Sequence, residues 1–349
     1  MAAHRHKYKA LDLFCGCGGL SLGLRRAGFT VLAAIDNDTL STSTYKLNHK
    51  RTHLVGEDIK LVDPAKLMKK MGLKPGELDL MAGCPPCQGF SALRTLNGGR
   101  DIHEPLNDLV YEFRRFIEVF MPKTVMMENV PALLNDDRLQ HIRREFEGLG
   151  YSTAAELFNA ERFGVPQRRL RMILFASRDD CPPFARPVRG RRTVSGAIRK
   201  LPLPEESNDP LHGYFVRRTE NVMSLIRRIP KDGGSRTDLP DTDQLPCHQR
   251  LNGFKDVYGR MAWNKPAPTL TGGCINPSKG RYLHPTEDRA ITLREAALLQ
   301  GFPMRYEFDM SKGRYPTAKL IGNAFPPKFA EHHARAIYAH LESQSEISR

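Results

Sequence analysis

Apolar positions over the first 180 residues fall into two alternating rhythms. Short runs rich in β-branched and aliphatic residues have strand length: YKALDLF (8–14), TVLAAID (30–36), HLVGEDI (53–59), ELDLMAG (77–83), KTVMMENV (123–130) and RRLRMILFAS (168–177). Between them lie stretches with helical spacing. GGLSLGLRRAGF puts Leu20, Leu24 and Ala27 on one face, TLSTSTYKLNH and NDLVYEFRRFIEVF continue the series, and LQHIRREFEGLG is closed by Gly150. Strands alternating with helices predict an α/β domain, an open, doubly wound and mostly parallel sheet covered on both faces. Ligands of such sheets sit outside the carboxyl ends of the strands. The segments CGCGG, DND, GED, GCPPCQGFS and ENVPALL each follow a predicted strand.

The rhythm weakens after Ser177. Prolines cluster in CPPFARP, LPLPEESNDP and LPDTDQLP, and up to about Gly280 only NVMSLIRRI keeps helical spacing. This stretch reads as a second, smaller domain of irregular and short β structure. Regular pattern returns with TLREAALLQGF, where Thr292 and Glu295 have the spacing of a capping box, and with GNAFPPKFAEHHARAIYAHL, a helix entered through prolines. There is no internal repeat and no low-complexity segment.

Charge adds a partner to this picture. The net charge of +14 makes a field that attracts polyanions, nucleic acid first among them, although it would also serve solubility alone. Location favours the first reading: between Arg162 and Arg192 stand nine arginines and two acidic residues, a composition suited to phosphates. No apolar run approaches the roughly 20 residues needed to span a bilayer, and the start MAAHRHKYKALDLF lacks the apolar core of a secretory signal. Seven cysteines, an odd number, argue against a disulfide framework, so a reducing cytoplasmic setting is expected.

The candidate chemistry sits in the loops. Gly16, Gly18, Gly19 and Gly23 allow a tight turn and close backbone approach to a ligand after the first strand. A dinucleotide fingerprint starting at Gly16 would need glycine where Ser21 stands. Asp36 and Asp58, at the tips of the second and third strands, suit the ribose and amino groups of an adenosine-containing cofactor, or cap the helices that follow. Cys84 and Cys87 have three readings. A redox pair normally heads a helix, where two prolines stand here, and a zinc site needs two further ligands. The third reading is a single nucleophile, Cys87, with Cys84 as a packing residue. Glu128, ending an apolar strand, would face the same crevice as a proton donor, or cap the next helix. Gln167, Arg169 and Arg171 alternate and would share one strand face, converging on a polar ligand or lining a solvated edge.

These motifs, in this order and along nearly the whole chain, resemble those of the DNA (cytosine-5)-methyltransferase family. DLFCGCGGLS is similar to the family's S-adenosylmethionine motif, which implies Phe14 stacked on the adenine, a turn of Gly16, Gly18 and Gly19, and contacts from Asp36, Asp58, Ile59 and Pro85. PPCQGFS resembles the catalytic loop and implies Cys87 as nucleophile, with Gln88 beside it and Ser91 near DNA; ENV implies that Glu128 binds the target base. QRRLR resembles Q-x-R-x-R, which adds Arg169 and Arg171, the latter near the cytosine carbonyl oxygen, and Gln167 toward DNA. GNAFPP implies Asn323 along the cofactor site, and RAITLREAALLQGFP the organiser of a target-recognition domain.

The resemblance implies a Rossmann-like catalytic domain over 1–180, completed by 287–349, with target recognition in 181–286, where no family motif appears. Arg189, Arg191 and Arg192 are expected to hold phosphates of double-stranded DNA. It further implies methylation at carbon 5 of a flipped cytosine through a covalent cysteine adduct, no metal, a monomer, and a prokaryotic or phage source with or without a companion restriction endonuclease. RNA cytosine methylation by the same chemistry is the alternative.

Overall fold

A computed structural model of the chain describes residues 8–86, 109–216, 218–240, 242, 244 and 255–347. The expected alternation is present: β1 (Tyr8–Leu13), α1 (Gly19–Ala27), β2 (Phe29–Ile35), α2 (Thr39–Asn48), β3 (His53–Val55), α3 (Pro64–Lys70), β4 (Leu80–Gly83), α4 (Leu109–Phe120), β5 (Thr124–Asn129), α5 (Asp137–Gly148), β6 (Ser152–Asn159) and β7 (Leu170–Ser177). The strands form one sheet in the order β3-β2-β1-β4-β5-β7-β6. Strands β1 to β5 pair in parallel, whereas β7 runs antiparallel to both its neighbours. The sheet is therefore mostly parallel, with an antiparallel margin at β7.

Burial explains why these segments fold as they do. In β1, every residue but Lys9 is buried, as the middle of a two-sided sheet requires. Helix α4 buries Val110, Phe113, Phe116, Ile117 and Phe120, the spacing of one apolar stripe. Truncating one of those phenylalanines to alanine would cost about 3–5 kcal/mol. Helices α2, α3 and α5 begin at Asp38, Asp63 and Asp136, whose carboxylates accept backbone N–H bonds of the first turn. In chain order β1 connects to β2 on one side, while β4 lies on its other side, so the strand order reverses between β1 and β4. That is where open α/β sheets hold ligands.

Packing divides the chain into two units, the first of Met1–Asn159, Leu170–Pro187 and Phe325–Arg349, the second of Ala160–Arg169 and Val188–Ala324. The second contains α6 (Val194–Ile198), α7 (Glu220–Arg228), α8 (Leu293–Leu299) and α9 (Arg314–Asn323). Its irregular character matches expectation, but among the described residues β structure is limited to isolated bridges such as Arg260 with Leu283. Buried side chains replace the missing ladder. The Arg260 guanidinium is fully buried and donates to the carbonyls of Ile226, Ile229, His284 and Glu287. The capping box of α8 is present, with Thr292 Oγ1 accepting from the Glu295 N–H and the Glu295 carboxylate from the Thr292 N–H. Residues 287–324, expected to complete the catalytic domain, thus belong to the second unit. Arg294 of α8 holds Asp209 at 2.5 Å and the carbonyl of Tyr306 at 2.9 Å, both in that unit.

The chain returns to the first unit in α10 (Pro327–Ile347), which packs along α1. The contact is close because of Gly23, where an added Cβ would lie 2.4 Å from that of Ala330. Among the described residues no helix is long and apolar enough to cross a membrane.

Candidate active site

The turn after β1 is built by its glycines and by Asp36. Gly18 holds φ +89° as the N-cap of α1, and Phe14, half-buried, sits at φ +62° before it. Asp36 leaves the end of β2 and accepts the Gly16 N–H at 2.8 Å through one oxygen and the Asp38 N–H at 3.0 Å through the other. Burial raises the Asp36 carboxyl above its ordinary value. With lone pairs still open, the carboxylate can bind hydroxyl donors while it holds the turn. Asp58 lies past β3, accepts the Lys60 N–H at 3.0 Å, and precedes buried Ile59. Arg115 of α4 fixes this second loop by donating to the carbonyls of Ile59 at 2.7 Å and Val62 at 3.0 Å.

Across the strand-order reversal, β4 delivers the cysteine motif. Gly83 fits because an added Cβ would lie 2.6 Å from the Leu13 carbonyl and 2.7 Å from Phe113. Cys84 then donates its N–H to that carbonyl at 3.3 Å. Buried Asn129, at the end of β5, donates its side-chain amide to the Pro85 carbonyl at 3.1 Å and so ties the ENV and PPC motifs together. Glu128, one residue earlier, pairs with Arg171 of β7, Nε to Oε1 at 2.7 Å, with the two side chains only 12% and 16% exposed. Burial, followed by the charges of Glu128 and Asp12, pushes the Cys84 thiol well up, so it stays protonated. Cys87, Gln88, Ser91 and the loop expected over 89–101 lie outside the described residues.

The expected convergence of Gln167, Arg169 and Arg171 is corrected. Strand β7 begins only at Leu170, so the alternation that would align the three side chains does not extend back to Gln167. Gln167 is fully buried in the second unit, bonded to Gln300, to the Leu299 carbonyl and to the Leu270 N–H. Its side chain is therefore placed as an internal brace, not as a DNA contact. Buried Arg169, also of that unit, donates to the carbonyls of Leu270 and Gly322, each at 3.0 Å, so its guanidinium is engaged within that unit. Arg171 alone is at the Glu128 edge. Asn323 ends α9 in the second unit with an exposed side chain, and Arg189, Arg191 and Arg192 are exposed on an irregular segment there.

A buried carboxylate behind the glycine turn was not singled out from sequence. Asp12 in β1 is fully buried; its Oδ2 accepts from Ser21 at 2.6 Å, Ser21 in turn bonds Tyr45 at 2.7 Å, and Oδ1 has no partner among the described residues. An aspartate flanked by Leu11 and Leu13 in the apolar half of the strand was the available signal. Burial pushes its carboxyl up to about 7, from an ordinary 3.8, with the Asp36 charge adding to the rise. The folded state then binds a proton that the unfolded chain has lost, so this group's contribution falls as pH rises from about 4 to about 7. Asp12→Asn should therefore stabilise the protein by about 4 kcal/mol at pH 8 and hardly at all near pH 4, at about 1.4 kcal/mol for each of some three pH units. Denaturant unfolding at the two pH values measures this. An equal gain at both would show that Asp12 does not carry the buried proton.

The chain is similar to known proteins along most of its length. The family described as C-5 cytosine-specific DNA methylase matches residues 8–339. The Type II methylase M.HgiDII of Herpetosiphon aurantiacus is 35% identical over 357 residues, covering 97% of each chain. The Type II methyltransferase M1.BsuMI of Bacillus subtilis is 32% identical over 341 residues, covering 91% of this chain and 78% of its own. A solved prophage-encoded protein of E. coli shares the fold, with a TM-score of 0.70 at 24% identity over 96% of this chain and 100% of that one. This chain belongs to the C-5 cytosine-specific DNA methylase family.

Proposed function

We propose that the protein transfers a methyl group from S-adenosylmethionine to carbon 5 of a cytosine within a specific duplex DNA sequence. The observation that carries this reading is one sheet edge, where the cysteine motif leaves β4 beside the Glu128–Arg171 pair and, across the strand-order reversal, beside the glycine turn. The cofactor fits the turn: half-buried Asp36 offers lone pairs to ribose hydroxyls, and Phe14 offers a ring to the adenine. When bound, S-adenosylmethionine supplies an electrophilic methyl group.

The protein's own part is to make carbon 5 nucleophilic. Cys87, as thiolate, adds at carbon 6 while Glu128 supplies a hydrogen bond or proton at N3, which turns the ring into an enamine. Arg171, held against Glu128, directs donors toward the carbonyl oxygen of the base. After methylation the carbon 5 proton leaves to a base and Cys87 is eliminated, restoring the ring. A stacked base cannot reach this edge, so the cytosine is flipped out of the duplex. The protein acts as a monomer, and its Type II relatives support a functional pairing with a restriction endonuclease of the same specificity. The test is methyl transfer to duplex DNA against structured RNA, with the modified base located by sequencing; transfer to RNA alone would overturn the DNA assignment.

Target choice belongs to the motif-free, basic segment 181–286. Exposed Arg189, Arg191 and Arg192 hold phosphates, while base edges are read from the groove. Neutralising one of these arginines should weaken binding to all sequences alike and lower the salt slope by about one unit. Exchanging 181–286 for the matching segment of a relative with another specificity should redirect methylation to the relative's site. An active chimaera that keeps the original site would place recognition elsewhere.

A further inference from the structure

The Glu128 carboxylate has a neighbour on each side. Strands β4 and β5 pair in parallel with Gly83 opposite Met127, so the next residue, Cys84 just past β4, lies beside Glu128 near the end of β5. On the other flank Glu128 pairs with Ile173 of β7, and Arg171, two residues along, shares the face of Ile173. Arg171 uses this position for its ion pair with Oε1. Cys84, beside Glu128 on the β4 side, keeps its thiol protonated through burial and the nearby Glu128 charge. A protonated thiol can only donate to a carboxylate, so a bond between these neighbours gives the acid one charged donor and one neutral donor from opposite flanks.

We propose that Cys84 is a positioning residue for the reaction, its thiol holding the Glu128 carboxyl from the flank opposite Arg171 so that the carboxyl faces N3 of the incoming base. This rests on the methyl-transfer reading above. A carboxylate held only by Arg171 would swing about a single Nε contact. The thiol removes that freedom without adding a second positive charge, which would draw the carboxylate away from N3. It also explains why a small residue with a donor stands where the sequence alone suggested packing.

A double-mutant cycle tests the idea. Cys84→Ala should lower kcat by about 3- to 30-fold, the range for one lost hydrogen bond, with KM for DNA and Kd for S-adenosylmethionine unchanged. Cys84→Ser keeps a donor and should recover most of the loss. In a Glu128→Gln background Cys84→Ala should cost little more, because the group it positions is already altered. Equal loss from alanine and serine, no loss from alanine, or full additivity with Glu128→Gln would each overturn the proposal. A second measurement does not depend on catalysis. The S–H stretching band of Cys84, isolated as the infrared difference between wild type and Cys84→Ala, should lie at lower frequency than that of an unbonded thiol and shift upward in Glu128→Gln. A band unmoved by Glu128→Gln defeats the inference, whereas a shifting band in a protein that methylates nothing would defeat only the functional reading.

Discussion

Cys87→Ser is expected to abolish methyl transfer, with a loss of roughly 10⁴-fold or more, while Cys84→Ser retains most of it. The reasoning is chemical. A free thiol with a pKa of about 8.5 is a few per cent thiolate at neutral pH and intrinsically very nucleophilic, whereas a serine hydroxyl offers almost no oxyanion. A redox or zinc pair would need both cysteines, so the two substitutions separate the readings. DNA with 5-fluorocytosine at the target should also trap wild type, and not Cys87→Ser, in an adduct that survives denaturation, because fluorine cannot leave as a cation. Equal loss from either cysteine, in variants that melt like wild type, would refute the single-nucleophile assignment.

How far the site could be read from sequence depends on which contacts are local. The strand–loop rhythm located CGCGG, GCPPCQGFS and ENV at strand ends because each depends on a short run of apolar residues and the turn after it. The place of Asp36 at the end of β2 was legible for the same reason. Strand β6 was missed: its burial pattern over STAAELFN mixes exposed and half-buried positions without alternation, as a sheet margin does. Helix α3, PAKLMKK, is short, and only Pro64 and Leu67 are buried. The alignment of Gln167, Arg169 and Arg171 failed where strand geometry ends. Period-2 reasoning holds only inside a strand, and the chain before Leu170 belongs to the second unit, where Gln167 and Arg169 serve as internal braces. Contacts set by register were invisible altogether. The Cys84–Glu128 juxtaposition and the Asn129–Pro85 hydrogen bond join residues 44 apart, and only the pairing of β4 with β5 brings them together.

The same geometry sets the expectation for Glu128→Gln. Glutamine keeps the length and shape of the side chain and an acceptor oxygen, but it has no proton to give and no charge. Turnover should fall by roughly 10²–10⁴-fold, the usual contribution of general acid–base help. The substitution also leaves Arg171, only 16% exposed, without its ion partner, so some stability is lost as well. Thermal unfolding measures that separately, and assays run well below the midpoint keep it out of the rate. Binding of S-adenosylmethionine, followed by calorimetry, should hardly change, because Phe14 and Asp36 stand at the ends of β1 and β2, with β4 between them and Glu128. Arg171→Lys offers a control: it keeps a positive charge but not the Nε donor geometry, so it should lower turnover less than Glu128→Gln does. If Glu128→Gln instead abolished cofactor binding and left turnover per bound cofactor intact, Glu128 would belong to the cofactor site, and the base at N3 would need another partner.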